Sequence, residues 1–82
     1  MKTSSATTTI RRTQEGPYTI STIVDNGIIE TAVFKTPNKT VIVNQYPTRE
    51  AAIADHDRWV QYCKDHAPRN VFDVNQRRRT PL

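Results

Sequence analysis

The side chains that could do chemistry in this 82-residue chain gather on one segment, residues 49–66. His56, Cys63 and His66 are the base, nucleophile and soft-ligand types there. Cys63 and His66 stand three apart, a spacing at which two helical side chains can share a metal ion, but two ligands without a second His/Cys pair do not complete a site. His56 and Cys63 are two helical turns apart, about 10 Å by the rise per residue, too far for one ion. No metal and no cofactor is therefore expected. Spacing places no nucleophile or second base beside His56, so its expected role is a buried imidazole hydrogen-bonded to a neighbour. On that ground the chain is not expected to be an enzyme. Arg58, Trp59 and Tyr62 make a second set, two rings that could stack on a base beside a guanidinium that could hold a phosphate. Trp59 also neighbours Ile53, Val60 and Cys63 at helical spacing, where core packing is expected, whereas Arg58 and Tyr62 lie further round and are freer to meet a ligand. Arg69 and the dense run Arg77-Arg78-Arg79 are the third set, able to contact phosphates or to dock in an acidic groove of a partner. The two glycines, Gly16 and Gly27, both belong to turns, so no phosphate-cradling loop exists.

The elements that must position these residues follow from a change of hydrophobic period. Residues 18–24 and 28–34 are β-branched runs flanking Asp25-Asn26-Gly27, and Asn-Gly is the strongest short hairpin signal because both loop residues take positive φ. With that loop, Val24 faces Ile29, Thr22 faces Thr31 and Ile20 faces Val33. Gln14-Glu15-Gly16-Pro17 reads as a turn after an edge strand over residues 7–13. Thr36-Pro37-Asn38-Lys39 reads as another, and pairing outward from it sets Phe34 against Val41, Val33 against Ile42 and Ala32 against Val43. The two registers sort the sheet into one face with Tyr18, Ile20, Val24, Ile29, Val33, Ile42 and Tyr46, and another with Ile23, Ala32, Phe34, Val41 and Val43. Thr48 is an N-cap, Glu50 suits the positive end of a helix, and Pro68 stops propagation, which predicts a helix from Arg49 to about His66. Residues 71–74 could add a short strand or dock on a neighbour.

The expected fold is therefore α+β: a three- to four-stranded antiparallel meander sheet with one amphipathic helix on one face and flexible basic tails. Residues 1–6 form a flexible tail, 7–74 a single domain and 75–82 an exposed basic arm. Since both faces of the sheet are apolar at their centres and one helix covers only one of them, Ile23, Ala32, Phe34, Val41 and Val43 are the expected interface with a second copy. The formal charge of +4 divides as +2 over residues 1–17, −1 over 18–67 and +3 over 68–82, so the positive excess lies in the tails. A single Cys fits a reducing compartment such as the cytoplasm. No apolar run approaches the roughly 20 residues of a membrane span, and Met1 to Ile10 lacks the apolar block of a signal peptide.

Three blocks carry a resemblance: Gly16-Pro17-Tyr18-Thr19-Ile20-Ser21-Thr22-Ile23, then Ile29-Glu30-Thr31-Ala32-Val33-Phe34, then Tyr46-Pro47-Thr48-Arg49-Glu50-Ala51-Ala52-Ile53-Ala54-Asp55-His56. Over some fifty residues they are similar, in order and spacing, to a group of short proteins of tailed bacteriophages and prophages with the pattern pYxVST…ETxVF…YxTxEEAxxxH. Many members have a longer, Gly-rich connection between the first two blocks, often with Asp and His; here it is only Asp25-Asn26-Gly27, so no role of that loop carries over. The resemblance implies a viral or prophage origin, a place in the host cytoplasm and the roles of small phage proteins. The expected function is non-catalytic binding as a homodimer or higher homo-oligomer, blocking a host protein or sequestering a small anionic defence signal through Arg58, Tyr62 and the tail arginines. The alternatives are a nucleic-acid-binding accessory protein working through its basic tails, or a minor virion or assembly component.

Overall fold

A computed structural model describes residues 7–36 and 38–82. The expected tail of residues 1–6 and the expected turn role of Pro37 lie outside the described residues. The chain runs β1 (Thr7–Glu15), β2 (Tyr18–Asp25), β3 (Ile28–Lys35), β4 (Val41–Tyr46), α1 (Arg49–His66), β5 (Asn70–Asp73) and β6 (Arg78–Pro81). The first four strands form an antiparallel sheet in the order β1-β2-β3-β4, and β5 and β6 form a separate two-stranded ribbon. Local chemistry accounts for the two tight hairpins. Gly16, at φ 57°, precedes the fixed ring of Pro17 between β1 and β2, and Asn26 and Gly27, at φ 52° and 83°, are the positive-φ pair between β2 and β3. The β2–β3 register is the expected one, with Val24 opposite Ile29, Thr22 opposite Thr31 and Ile20 opposite Val33.

The β3–β4 register differs from the expectation by one residue near the turn. Val33 pairs with Val41 and Ala32 with Ile42; beyond a bulge, Thr31 pairs with Asn44 and Ile29 with Tyr46. The cause is the turn: Asn38 N–H donates to Lys35 C=O at 2.6 Å, closing the loop one residue earlier than a Thr36–Lys39 turn would. Val43 is the extra residue of the bulge, so Val43 and Asn44 both lie on the helix side. Val41 and Val43 are therefore not on the outer face, where they were expected. They join Tyr18, Ile20, Val33, Cys63, Val71 and Leu82 in the core, with Trp59 and Val60 packed against it. Ile42 takes their place outside.

Ile20, Val33 and Val41 are wholly enclosed, and at about 1.5–3 kcal/mol for each large apolar side chain this row outweighs any single cap. The Thr48 hydroxyl nevertheless accepts from Ala51 N–H at 3.1 Å, a bond worth about 1 kcal/mol that sets where α1 begins. At its far end, Ala67 N–H donates to Cys63 C=O with Ala67 in the left-handed region at φ 43°, ahead of Pro68. Tyr18 Oη donates to Pro68 C=O at 2.7 Å, tying this exit to the sheet. None of the helices among the described residues is long and apolar enough to cross a membrane.

The short strand expected near residues 71–74 is β5, but the expected exposed arm of residues 75–82 is folded. Residues 75–82 turn back, Arg78–Pro81 pairs with Asn70–Asp73, and Leu82 enters the core while its N–H donates to Arg69 C=O. The Asp73 carboxylate accepts from Asn75 N–H and Gln76 N–H, which holds the loop between the two strands. Val74 N–H donates to Ile42 C=O at 2.9 Å and docks the ribbon beside β4.

Ala67 bears a side chain where glycine is the unstrained choice. Ala67→Gly is expected to raise the unfolding free energy by about 0.5–1 kcal/mol, read as a higher urea midpoint at unchanged slope.

Candidate functional site

His56 is completely enclosed, and both of its ring nitrogens are engaged: Nδ1 lies 2.7 Å from Thr22 Oγ1 and Nε2 lies 2.9 Å from Thr13 Oγ1. Thr22 Oγ1 lies 2.7 Å from Thr31 Oγ1, and Thr31 Oγ1 lies 3.1 Å from Tyr46 Oη, which donates to Asp55 Oδ2 at 2.5 Å. Every hydroxyl in this row has one hydrogen, and a carboxylate only accepts. The direction of each bond follows from that. Tyr46 gives its hydrogen to Asp55, so Thr31 donates to Tyr46, Thr22 donates to Thr31 and His56 Nδ1–H donates to Thr22. Burial disfavours the charged ring, so the imidazole is neutral with its hydrogen on Nδ1, and its bare Nε2 accepts from Thr13. Burial is the main cause holding its pKa below the ordinary value; the nearby Arg11 charge acts the same way, and Asp57 opposes both.

The row touches every strand of the main sheet, through Thr13 of β1, Thr22 of β2, Thr31 of β3 and Tyr46 of β4, and ends on α1. Arg11 Nη1 also meets Asp57 at 2.9 Å, but with both side chains about half exposed or more that pair adds at most about 1 kcal/mol. The part-buried bond between Thr13 and His56 also fixes β1 against α1.

Where the row reaches the surface it opens into a shallow cleft of about 270 Å³ lined by Asn44, Asp55, Arg58, Trp59 and Tyr62. Asn44 Oδ1 accepts from Gln45 N–H, which turns its amide toward Asp55 Oδ2 at 3.2 Å. Asp55 Oδ2 is thereby fully used. Among the described residues its Oδ1 has only Arg58, at 3.5 Å, whose side chain is 76% exposed and weakly held. Trp59 and Tyr62 meet edge to face with ring centroids 5.4 Å apart, and Tyr62 is tilted against His66 at 4.6 Å. Burial and the Asp55 carboxylate both raise the Tyr46 pKa, so its phenol stays protonated.

Of the residues singled out in the sequence, Arg58, Trp59 and Tyr62 are brought together at this cleft. Arg69, Arg77, Arg78 and Arg79 do not line it; they are exposed on and beside the β5–β6 ribbon. Cys63 is in the core, and burial pushes its thiol up to about 11, which makes it a poor nucleophile. Ile23, Ala32 and Phe34 do lie on the outer face, next to Ile42. Arg12 is there too, its guanidinium 5.6 Å from the centre of the Phe34 ring, as is Glu30, 3.4 Å from Gln45 Nε2. Asn44, Tyr46 and Asp55 were not expected at a site. The Thr22–Thr31 pair opposite the centre of the helix was the signal that could have located the partners of His56.

Comparison of the chain with protein-family models, with curated proteins and with solved structures gives no match.

His56→Ala is expected to cost about 2–4 kcal/mol, because it opens a void and leaves the Thr13 and Thr22 hydroxyls short of a partner; chemical denaturation measures this. The same residue sets a pH dependence. As pH falls below the ordinary histidine value of about 6.5, the unfolded chain takes up a proton that the folded imidazole resists. The His56 contribution is therefore complete above that pH and is lost as pH drops toward the lower folded value. Urea midpoints measured between about pH 7.5 and pH 5 should decline in the parent chain and decline less in His56→Gln.

Proposed function

We propose that the chain is a small bacteriophage accessory protein that acts without catalysis, as a homodimer that binds a host protein or a small anionic signal in the host cytoplasm. The observation that carries this reading is the sheet face opposite α1, where Ile23, Phe34 and Ile42 around the buried Ala32 are only partly enclosed by the chain's own side chains. Those residues give that face an apolar centre, while the exposed Arg12 and the largely buried Glu30 give it opposite charges. A two-fold axis through the centre turns the arginine side of one copy toward the glutamate side of the other, so the face is complementary to itself. A partner of a single charge would leave one of these two groups unmatched.

The non-catalytic part rests on how the reactive side chains are used. Both His56 nitrogens are bound to threonines, Cys63 is enclosed, and Tyr46 is held protonated. The phage part rests on the three sequence blocks beginning at Gly16, Ile29 and Tyr46. The binding part points to Arg58 and Tyr62, the two cleft residues with the most freedom to meet a ligand, Tyr62 being 40% exposed.

The test is the mass in solution. Light scattering behind size exclusion should give twice the 9.4 kDa of one chain for the parent, and one chain mass for Phe34→Glu with an unchanged far-ultraviolet dichroism spectrum. A parent that elutes as a single chain at tens of micromolar contradicts the dimer.

A further inference from the structure

The arginine-rich end of the chain is a folded ribbon, and this changes what it can do. On an antiparallel pair, side chains of directly opposed residues share a face. Phe72 opposes Arg79, and Asn70 opposes Pro81 on the same face, while Val71 and Thr80 turn inward and are buried. Phe72 is 47% exposed, a large ring left in solvent on a four-residue strand. Beside it, the Arg79 guanidinium is pinned: Nε donates to Asn70 Oδ1 at 2.8 Å and Nη2 to Asn70 C=O at 3.3 Å, which leaves Nη1 free. Arg77, at φ 57°, stands exposed at the loop end of the ribbon, whereas Arg78 opposes Asp73 and leaves the strand on the other side, where it shares a surface depression with Lys39. The one acidic residue of the ribbon, Asp73, is buried and occupied by the loop amides.

We infer that the outer face of the β5–β6 ribbon binds single-stranded nucleic acid, with a base stacked on Phe72, one phosphate held by Arg79 beside it and a second by Arg77 at the loop end. An acidic polypeptide would satisfy the arginines but brings few groups that cover an exposed ring. A nucleotide brings a phosphate and a π-face together, and Phe72 beside Arg79 presents the matching pair. A duplex already stacks its bases on each other, so the ring favours an unpaired strand. The inference stands apart from the dimer proposed above, since the ribbon lies beside β4 and contributes none of the apolar residues at the centre of the outer sheet face.

The experiment is fluorescence anisotropy of a labelled oligothymidine of about 15 nucleotides titrated with the full chain. Two phosphate contacts predict that log affinity falls against log salt with a slope of about −1.4 between about 25 and 200 mM NaCl. Phe72→Ala should weaken binding about tenfold, Phe72→Trp should restore it, and Arg77→Gln should flatten the salt slope while Arg78→Gln, on the other face, should change it less. Phe72 is exposed, so its variants should keep the parent dichroism spectrum. The inference is overturned by an absence of binding at the lowest salt, by equal affinity of Phe72→Ala and parent, or by tighter binding of polyglutamate than of the oligonucleotide.

Discussion

Apolar contact between a helix and a sheet tolerates sliding and rotation, since one methyl group can replace another at little cost. The row of bonds from Thr13 through His56, Thr22, Thr31 and Tyr46 to Asp55 does not tolerate them. Each donor in it has a defined place to give its hydrogen, and His56, Thr22 and Thr31 at its centre are shut away from water that could substitute. Because the row takes one side chain from each strand of the main sheet and two from the helix, it fixes the rotation and height of α1 over all four strands at once. The rest of the core, Ile20, Val33, Val41 and Cys63 among it, then packs in the space this geometry leaves.

The bulge at Val43 belongs to the same arrangement. Val41 must face the helix to meet Val33, and Tyr46 must face it to reach Asp55, yet five residues of regular strand separate opposite faces at those two positions. One extra residue between them lets both point inward and brings Asn44 onto Asp55 as well. The cleft is thus a product of an irregularity in β4, and its lining comes from the strand on one side and the helix on the other. A short polar side chain at the bulge exit, a carboxylate with one committed and one open oxygen, and two rings complete it.

Much of this was legible in the residues. Asn26-Gly27 set the β2–β3 register because its backbone admits one loop geometry, and Thr48 and Pro68 marked the ends of α1 through a cap and a missing N–H. The β3–β4 register was not legible, because a five-residue connection does not pin pairing as a two-residue loop does, and a bulge needs no particular residue. That error moved Val41 and Val43 to the wrong face. The ribbon was hidden for another reason. Arg77, Arg78 and Arg79 carry the composition of an exposed arm, but strand pairing uses backbone groups, and only Thr80 and Leu82 turn inward. The Asp73 side chain, accepting from amides two and three residues on, was the local sign that the chain turns back there.

The arrangement of strands also restricts how copies can gather. At one margin of the sheet, β1 is interrupted by a bulge at Ile10 and carries Arg11 and Arg12 just beyond it, which twists and charges the row of free amides that an incoming strand would have to match. At the other margin, the Ile42 carbonyl is already taken by Val74. Ribbon-like growth from one molecule to the next, the route by which small β-rich chains run into fibrils, is hindered at both ends.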